Sequence, residues 1–377
     1  MKIIHVAKMT GVAGMENHLL ALLPGLRQRG YDVRLIVLTE PDKPMDAYMA
    51  HMAGQDVLAE PVIIRRDVDY PLIGRLAARF RAERPDAVHT HLIHADWHGV
   101  VAARRAGVPR IFWSGHNDDP FRYRLPIRLI QAYLWRRVTA GIAISEAVRQ
   151  FMIRVEWAPP DRVFTIRYGL DPASIPTLPD ARAQVRAELG IASDAQVFGS
   201  VCRLIEQKGL IHALEAFSQI CDRHPDAHYV IIGDGPLRPA LETRIGELGL
   251  LGRVHLPGWR QHAAALMPAF DAFLMPSLWE GFGLVVIEAM AAGLPVIASR
   301  VSALPEIVID GETGLLVPPG DATALVSAMR QLLDDPVARA QMGAAGRARL
   351  ESAFSAQRMI DETAALYERF AGGARTT

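Results

Sequence analysis

The sequence predicts an α/β protein with two domains, each built around a mainly parallel β-sheet. The chain has 377 residues, which is too long for one ordinary hydrophobic core and favours two domains. Strand and helix signals alternate through both halves, a pattern typical of parallel strands joined by right-handed crossovers. Between the halves, Asp171 to Pro179 holds three prolines in nine residues, so we expect a linker there rather than a helix.

The first half begins with a buried strand, Lys2 to Ala7, and a glycine loop, Gly11 to Gly14, that leads into a helix from Met15 to Arg29. Further strands are predicted at Asp32 to Leu38, Val62 to Ile64, Asp86 to Thr90, Arg110 to Trp113, Gly141 to Ile144 and Val163 to Ile166. Ligands of open parallel sheets bind beyond the carboxyl ends of the strands. This rule selects Gly14, His89 to His91, His116 and Ser145. One such histidine is more often structural than catalytic, but three at strand ends in one half favour a functional role.

The second half repeats the alternation of strands and helices. Strands are predicted at Gln196 to Val201, Ala227 to Ile232, Val254 to Leu256, Phe273 to Met275 and Val296 to Ala298. Helices are predicted at Leu210 to Cys221, Leu284 to Ala292, Ala322 to Leu333, Val337 to Leu350 and Ser355 to Arg369. The last of these has an apolar face that must be buried somewhere in the molecule.

Composition excludes several classes of protein. Lys+Arg and Asp+Glu number 41 each, so nothing indicates a nucleic-acid partner. The apolar run at the start is too short for a secretory signal or a membrane span, and we expect a cytoplasmic protein. The only cysteines, Cys202 and Cys221, lack metal-ligand spacing and are expected to be reduced thiols.

The balanced charge hides an asymmetry between the halves. Residues 1–168 contain 24 Lys+Arg against 17 Asp+Glu, whereas the rest of the chain contains 17 Lys+Arg against 24 Asp+Glu. Much of the excess lies in two helical stretches, Tyr70 to Pro85 and Phe121 to Arg137, the second with five arginines and no acid. A basic amphipathic surface suits an anionic membrane, at the inner face of the cell membrane, or a lipid-linked substrate. The alternative is a solvated arginine face over an ordinary core stripe.

The most informative stretch of the chain runs from Pro276 to Ile297. A strand ends before it, Glu280 to Gly283 form a tight turn, and a helix from Leu284 to Ala292 follows. The free N–H groups and the positive dipole end of this helix point back at the turn, where they form an anion site. Glu288, on the second helical turn, could accept hydrogen bonds from paired sugar hydroxyls. The alternative is a plain strand-to-helix turn followed by a solvated acid.

Two cations fall at the same edge of the second sheet. Arg203 and Lys208 flank a turn after the strand Gln196 to Val201, so they should lie near the Glu280 to Gly283 turn. Two cations and a helix N-terminus suit a diphosphate, whose charge must be stabilised when a bond to it breaks. The alternative is two surface cations that happen to lie near a helix start.

These residues carry a family resemblance. The chain resembles a retaining glycosyltransferase of family 4, with two Rossmann-like domains in the GT-B arrangement facing a central cleft. The resemblance is strong over Val197 to Leu316 and weaker from Met1 to Gly169. The family signature is a Glu-x7-Glu pattern, here Glu280 and Glu288, with flanking Pro276-Ser277, Gly281-Phe282-Gly283-Leu284, Glu288-Ala289 and Gly293-x-Pro295-Val296.

The resemblance implies a role for each site residue. It places Glu280 at the donor sugar, Glu288 at the nucleotide ribose, and Arg203 and Lys208 at the diphosphate, with Gly283 and the N–H groups of Leu284 and Val285 assisting. It places Gly14 in the glycine loop that faces the diphosphate and acceptor, and His116 at the donor sugar beside the reacting carbon. The sequence departs from the family pattern at Ala13, Cys202 and Tyr168, where glycine, glycine and asparagine are usual.

The resemblance also implies the domain limits and the reaction. The first domain would span residues 1–169 and the nucleotide-sugar-binding domain residues 172–354, with the helix over 355–369 packing back on the first. The enzyme would move a sugar from a nucleotide sugar to a saccharide or lipid-linked acceptor, with retention, without a cofactor or metal, by a same-face route. A sucrose- or starch-type enzyme and a non-catalytic nucleotide-sugar-binding protein stay open as alternatives. A nicotinamide dehydrogenase is disfavoured, because Gly-x-Gly-x-x-Gly is absent.

Overall fold

A computed structural model of the chain describes residues 1–372 and divides into two compact units. The first unit is Met1–Gly169 together with the chain from Ala356 onward, and the second is Leu170–Ser355. Each unit contains one sheet whose strand pairs are all parallel. The predicted fold class, two Rossmann-like parallel-sheet domains, is confirmed.

The first unit is built on a seven-stranded sheet with the order β3-β2-β1-β4-β5-β6-β7. Its strands are β1 (Lys2–Lys8), β2 (Asp32–Thr39), β3 (Leu58–Ile63), β4 (Ala87–His91), β5 (Arg110–Gly115), β6 (Ala140–Ala143) and β7 (Val163–Thr165). Its helices are α1 (Gly14–Gln28), α2 (Asp46–Gly54), α3 (Tyr70–Glu83), α4 (Ile93–Ala106), α5 (Leu125–Trp135), α6 (Glu146–Arg154) and the C-terminal helix, which follows those of the second unit in the chain. Strands β1, β4 and β5 are adjacent at its centre, so their carboxyl ends meet at one edge.

The second unit is built on a six-stranded sheet with the order β10-β9-β8-β11-β12-β13. Its strands are β8 (Gln196–Val201), β9 (Ala227–Ile232), β10 (Val254–Gly258), β11 (Ala272–Met275), β12 (Val296–Ser299) and β13 (Gly314–Val317). Its helices are α7 (Ala181–Glu188), α8 (Leu210–Cys221), α9 (Arg238–Glu247), α10 (Leu284–Ala291), α11 (Leu304–Ile307), α12 (Ala322–Asp334) and α13 (Pro336–Ala353). Strands β8 and β11 are neighbours, which brings the loops that follow them together.

The C-terminal helix, α14 (Ala356–Ala371), belongs to the first unit. It buries one face, which carries Met359, Ile360, Thr363, Ala364, Leu366 and Tyr367. It packs against α1 at Gly25, where an added Cβ would lie 2.3 Å from the Cδ1 of Ile360. The lack of a side chain at Gly25 therefore allows the two helices to pack closely.

Some elements differ from the prediction. The predicted helical stretch from Phe121 to Arg137 is a 3-10 turn, Pro120–Tyr123, followed by α5. Pro126 explains the break, because proline fits the first turn of a helix and not its interior. Strand β13 and helix α7 were not predicted. Four and eight residues long, they are too short to show a clear period in the sequence.

Candidate active site

The centre of the candidate site in the second unit is an ion pair between two predicted residues. The Nζ of Lys208 lies 2.6 Å from the Oε2 of Glu280, and both side chains are only 12% exposed. Lys208 ends a 3-10 turn after β8, and Glu280 lies in the loop after β11. Gly209 makes this approach feasible, because it has φ +60° and a Cβ there would lie 2.1 Å from the carbonyl oxygen of Pro276.

Three polar residues that the sequence analysis did not select hold the Glu280 loop. The N–H of Leu278 donates to the carbonyl of Gln207 at 2.7 Å, and the Gln207 side-chain amide donates to the carbonyl of Trp279 at 3.0 Å. The N–H of Glu280 donates to the hydroxyl of Ser302 at 3.3 Å, and the Ser277 hydroxyl lies 3.4 Å from the Glu280 carboxylate. These bonds fix the carboxylate of Glu280 in one place.

Helix α10 begins at the same loop. Its N-cap is Gly283, which has φ +90°, and no side chain caps the helix. The first N–H groups of a helix, here those of Leu284 and Val285, have no partner within the helix. Together with the positive end of the helix dipole they form a place where an anion can bind.

Glu288 lies on the second turn of α10 and is partly exposed. Burial raises the pKa of its carboxyl group from 4.5 to about 7. A carboxyl group with such a pKa is partly protonated at neutral pH, so a ligand that needs the carboxylate must drive off a proton.

Arg203 follows β8 and is exposed. Its neighbour Cys202 occupies the position where the family has glycine, and burial raises the pKa of the Cys202 thiol to about 12. The charges of Lys208, Glu280 and Arg203 act on the same thiol to a smaller extent, so all three lie near it. In this protein the backbone of Gly233 packs closely against the backbone of Cys202. A Cβ added to Gly233 would lie 1.9 Å from the carbonyl oxygen of Cys202.

In the first unit, Gly14 is the first residue of α1, beyond the carboxyl end of β1. The N–H of Ala13 donates to the side chain of Glu16 at 3.0 Å, and a Cβ on Gly14 would meet nothing within 4 Å. Packing within the described residues therefore does not require glycine at position 14. Ser145, also selected from the sequence, accepts the N–H of Val148 at 3.1 Å as the N-cap of α6, which is a structural role.

His116 lies just beyond β5 and is buried. Its Nε2 lies 2.9 Å from the Nδ1 of His91, and its Nδ1 lies 2.5 Å from the hydroxyl of Tyr168. Both ring nitrogens are therefore engaged inside the first unit. A sugar could therefore reach neither ring nitrogen without breaking one of these hydrogen bonds.

The two basic stretches differ in the structure. On α3, Arg75 and Arg79 form ion pairs with Asp69, Glu60 and Glu83, so acids neutralise two of the four arginines of this stretch. Around α5 the expectation of five surface arginines is wrong for one of them, because Arg122 is buried and paired with Glu156 at 2.5 Å. A buried guanidinium group needs an oppositely charged partner, and Glu156 is that partner for Arg122.

Part of that stretch lies at the surface of the unit, and we call this part the α5 surface. It comprises six apolar or aromatic side chains, between 39% and 60% exposed, and three arginines, namely Phe121, Tyr123, Leu125, Leu129, Ile130 and Tyr133 with Arg124, Arg136 and Arg137. Within residues 1–372, none of the three arginines has an acidic partner within 4 Å. Arg137 instead lies over the Tyr133 ring, 3.8 Å from its centre.

Models of two protein families match the chain, Glycosyltransferase Family 4 over residues 12–174 and Glycosyl transferases group 1 over residues 181–349. The GDP-mannose-dependent alpha-(1-6)-phosphatidylinositol monomannoside mannosyltransferase of Mycolicibacterium smegmatis is 32% identical over 68% of this chain and 72% of its own. The chain belongs to glycosyltransferase family 4. It is therefore a glycosyltransferase.

Other comparisons agree with this membership. The Escherichia coli UDP-Gal:alpha-D-GlcNAc-diphosphoundecaprenol alpha-1,3-galactosyltransferase is 27% identical over 97% of this glycosyltransferase and 96% of its own chain. The crystal structure of Anabaena HepE in complex with UDP and glucose superposes with a TM-score of 0.87 at 22% identity, covering 98% and 100% of the two chains. The GT-B fold of the glycosyltransferase is thereby confirmed. None of its helices within residues 1–372 is long and apolar enough to cross a membrane.

Proposed function

We propose that this glycosyltransferase retains the configuration at the transferred carbon and needs neither a metal ion nor a cofactor. The Lys208–Glu280 ion pair beside the uncapped start of α10 supports independence from a metal ion most directly. A cation and helix N–H groups would stabilise the charge that develops on a diphosphate leaving group. A cation and backbone donors of this kind supply the stabilisation that a metal ion provides elsewhere.

In the proposed reaction, Arg203, Lys208 and the N–H groups of Leu284 and Val285 bind the diphosphate of the donor. The bond between the anomeric carbon and the phosphate oxygen breaks through an oxocarbenium-like state. The acceptor oxygen bonds to the same face of that carbon, and its proton passes to the departing phosphate oxygen. No covalent enzyme intermediate is required in this route.

The ion pair indicates how donor binding would proceed. In the free protein, Lys208 is held by Glu280 at 2.6 Å. A diphosphate offers Lys208 a more highly charged acceptor, so Lys208 would exchange Glu280 for the phosphate. Glu280 would then be free to accept a hydrogen bond from a sugar hydroxyl. Gly14 and His116, at the carboxyl edge of the first sheet, stay predictions of the donor site.

We predict that donor binding depends on the ionisation of Glu288. The ribose hydroxyls need the carboxylate as acceptor, and the Glu288 pKa of about 7 means that binding at lower pH must release its proton. The Kd should therefore fall as pH rises toward 7, by up to about tenfold per pH unit, and level off above it. Isothermal titration from about pH 5.5 to pH 8.5 measures this. UDP-glucose, UDP-galactose and GDP-mannose serve as probes, with the tightest binder retained.

Two matched variants distinguish the role of Glu288 in donor binding from the role of Glu280 in turnover. Glu288→Gln should bind more weakly and lose the pH dependence, whereas Glu280→Gln should keep the pH dependence and lose mainly turnover. Subtracting the two curves removes any titration of the ligand itself. A pH dependence that survives unchanged in Glu288→Gln would exclude Glu288 from the ribose site.

For the acceptor, we propose a lipid-linked saccharide at an anionic membrane surface. By their names, the E. coli relative acts on a diphosphoundecaprenol-linked sugar and the M. smegmatis relative on a phosphatidylinositol mannoside. The α5 surface supports a similar acceptor here, because it combines exposed aromatic and aliphatic groups with arginines that have no acidic partner among the described residues. This would put the enzyme at the inner face of the cell membrane.

We predict that the protein binds vesicles of phosphatidylglycerol and phosphatidylcholine more tightly than vesicles of phosphatidylcholine alone. Arg136→Ala with Arg137→Ala should weaken binding by about thirtyfold, since each surface cation contributes about 1 kcal/mol. Leu125→Ser with Leu129→Ser should also weaken it. Leu251→Ser, at an even more exposed apolar position in the second unit, should not. Vesicle flotation measures all four proteins.

The alternatives predict other results. A sucrose- or starch-type enzyme would bind neither vesicle and would use a soluble acceptor. A surface that pairs two copies of the chain would show self-association that Leu129→Ser abolishes, without lipid binding. A non-catalytic nucleotide-sugar-binding protein would bind the donor but release no sugar, either to an acceptor or to water.

A further inference from the structure

Three buried histidines and a tyrosine in the first unit form one continuous line of hydrogen bonds, which we call the histidine chain. The Nδ1 of His5 lies 2.9 Å from the Nε2 of His91. The Nδ1 of His91 lies 2.9 Å from the Nε2 of His116, whose Nδ1 lies 2.5 Å from the Tyr168 hydroxyl. The histidine chain therefore runs from the interior of the unit to His116, the residue predicted to meet the donor sugar.

The sheet explains why these rings meet. Strands β1 and β4 are adjacent and parallel, with His5 opposite His89 and Ala7 opposite His91. Residues two apart on a strand point to the same face, so His89 and His91 share a face with His5. The centres of these three rings lie 4.4 to 5.2 Å apart, and the His91 ring stacks on the other two. His116 lies just past the next strand, β5, and completes the line at the carboxyl edge.

Each ring of the histidine chain is neutral. Burial, and next the nearby His18, lower the pKa of His5 to about 3. The pKa of His91 and that of His116 lie well below the usual value, mainly because of burial. A neutral imidazole carries one proton, so one ring nitrogen donates and the other accepts.

This rule leaves only two proton arrangements for the histidine chain. Each N···N contact needs one proton and cannot hold two, so the tautomer of one ring fixes that of the next. In the first arrangement every Nδ1 carries the proton, and the last one, on His116, donates to Tyr168. In the second every Nε2 carries it, and Tyr168 donates to His116.

The His5 end of the histidine chain decides between the two proton arrangements. The Nε2 of His5 is buried and has no hydrogen-bond partner in the part of the chain that the structure describes. In the second arrangement this atom would be a buried N–H without an acceptor, and in the first it is an unpaired acceptor. Orphaned buried N–H groups are rarer in proteins than under-satisfied acceptors. The first arrangement, with Nδ1–H on all three rings, is therefore favoured.

We propose that His5 and His91 are positioning residues, which with Tyr168 fix the ring of His116 and through it the main chain at the carboxyl edge of the first sheet. This rests on the proposed role of His116 at the donor sugar. With both ring nitrogens engaged, the His116 ring acts as an anchor, and its main-chain carbonyl is held at the position where a sugar would meet it.

A metal ion is the competing explanation for the cluster. His5, His89 and His91 each offer a ring nitrogen, and these atoms lie within 4.8 Å of one another. However, both nitrogens of His91 are already engaged in the chain, and those of His89 lie 2.5 Å and 2.8 Å from the hydroxyls of Tyr367 and Ser114. Coordination at about 2.0 to 2.1 Å would require these bonds to break. The geometry is that of hydrogen bonding.

The spectroscopic test uses the full chain labelled with 15N-histidine, whose long-range correlations report which ring nitrogen carries the proton. We expect His5, His91 and His116 all to be Nδ1–H tautomers. Tyr168→Phe removes only a hydroxyl at one end of the chain, so it should fold. It should nevertheless change the His5 signal at the other end, because the two proton arrangements then become closer in energy. An unchanged His5 signal, or three rings with unrelated tautomers, would overturn the proposal.

The kinetic test compares two buried histidines of the first unit. His91→Leu breaks the histidine chain, whereas His98→Leu removes an equally buried ring that is not part of it and that accepts the N–H of Asp69 instead. We expect His91→Leu to lower kcat by at least about tenfold with little change in donor KM, since misplacement of a contacting group mainly affects the reacting centre. His98→Leu should keep kcat near the wild-type value. Equal losses of kcat in the two variants would contradict a positioning role.

Two results would overturn the positioning role and leave the proposed function intact. If Arg203→Ala with Lys208→Ala abolishes transfer but His91→Leu does not affect it, the proposed function stands and the positioning role is wrong. Stoichiometric binding of Co²⁺, detected by its visible absorption and lost in His5→Gln, would identify the cluster as a metal site and overturn the proposal as well.

Discussion

Replacing Arg203 and Lys208 together by alanine should lower kcat for sugar transfer by at least about a hundredfold, because one lost donor to a developing negative charge costs on the order of 3 kcal/mol. Both residues follow β8, at the edge of the sheet where α10 begins. Arg203 is exposed, and Lys208 holds Glu280 at 2.6 Å in the free protein. The loss should therefore appear in catalysis more than in stability, although Glu280 loses its partner.

The measurement is steady-state transfer with the donor that binds most tightly, together with thermal unfolding of each variant. Arg223→Ala is a suitable control, since Arg223 is exposed in the same unit but follows α8, at the opposite edge of the sheet. Millimolar magnesium or a chelator should change the wild-type rate little. A strict requirement for a metal ion would contradict the proposal that Arg203, Lys208 and the helix N–H groups stabilise the leaving group unaided.

The proximity of the candidate site residues in the second unit could largely be predicted because their signals are local in sequence. Glu280, Gly283 and Glu288 lie on one strand-turn-helix unit, and the topology of parallel sheets brings Arg203 and Lys208 to the same edge. The ion pair between Lys208 and Glu280 could not be foreseen, because it joins residues 72 positions apart. Gln207 and Ser302 belong to no sequence pattern, and only the folded loops reveal what they and Ser277 hold.

The first unit was harder to interpret from sequence, because a charge pattern counts every arginine alike. Arg122 proved to be buried against Glu156, and Arg79 is paired with Glu60 and Glu83. His5 was not selected at all, since one histidine inside an apolar strand is not distinguishable from a core residue. Its significance depends on the pairing of β1 with β4, which is a long-range contact.

Removal of α14 should prevent the first unit from folding stably, although α14 follows the second unit in sequence. Met359, Ile360, Leu366 and Tyr367 are buried on its packed face, and each contributes about 1.5 to 3 kcal/mol by leaving water. The sum is comparable to the whole stability of a domain, about 5 to 15 kcal/mol. A chain ending at Ser355 should therefore lose the first unit, with the second unit still protected from proteolysis. Gln357→Ala, on the exposed face of α14, should behave like wild type.

A point variant measures the same packing without truncation. In Gly25→Ala the new Cβ would lie 2.3 Å from the Ile360 Cδ1, so α14 must shift or the side chain must leave its preferred conformation. We expect the free energy of unfolding to fall by about 1 to 3 kcal/mol. Gly74→Ala is the matched control, because its Cβ meets nothing within 4 Å on α3 and should stabilise that helix by up to about 1 kcal/mol. If both variants unfold at the same denaturant concentration, α14 does not pack on α1 in solution. A truncated chain ending at Ser355 whose first unit stays folded would lead to the same conclusion.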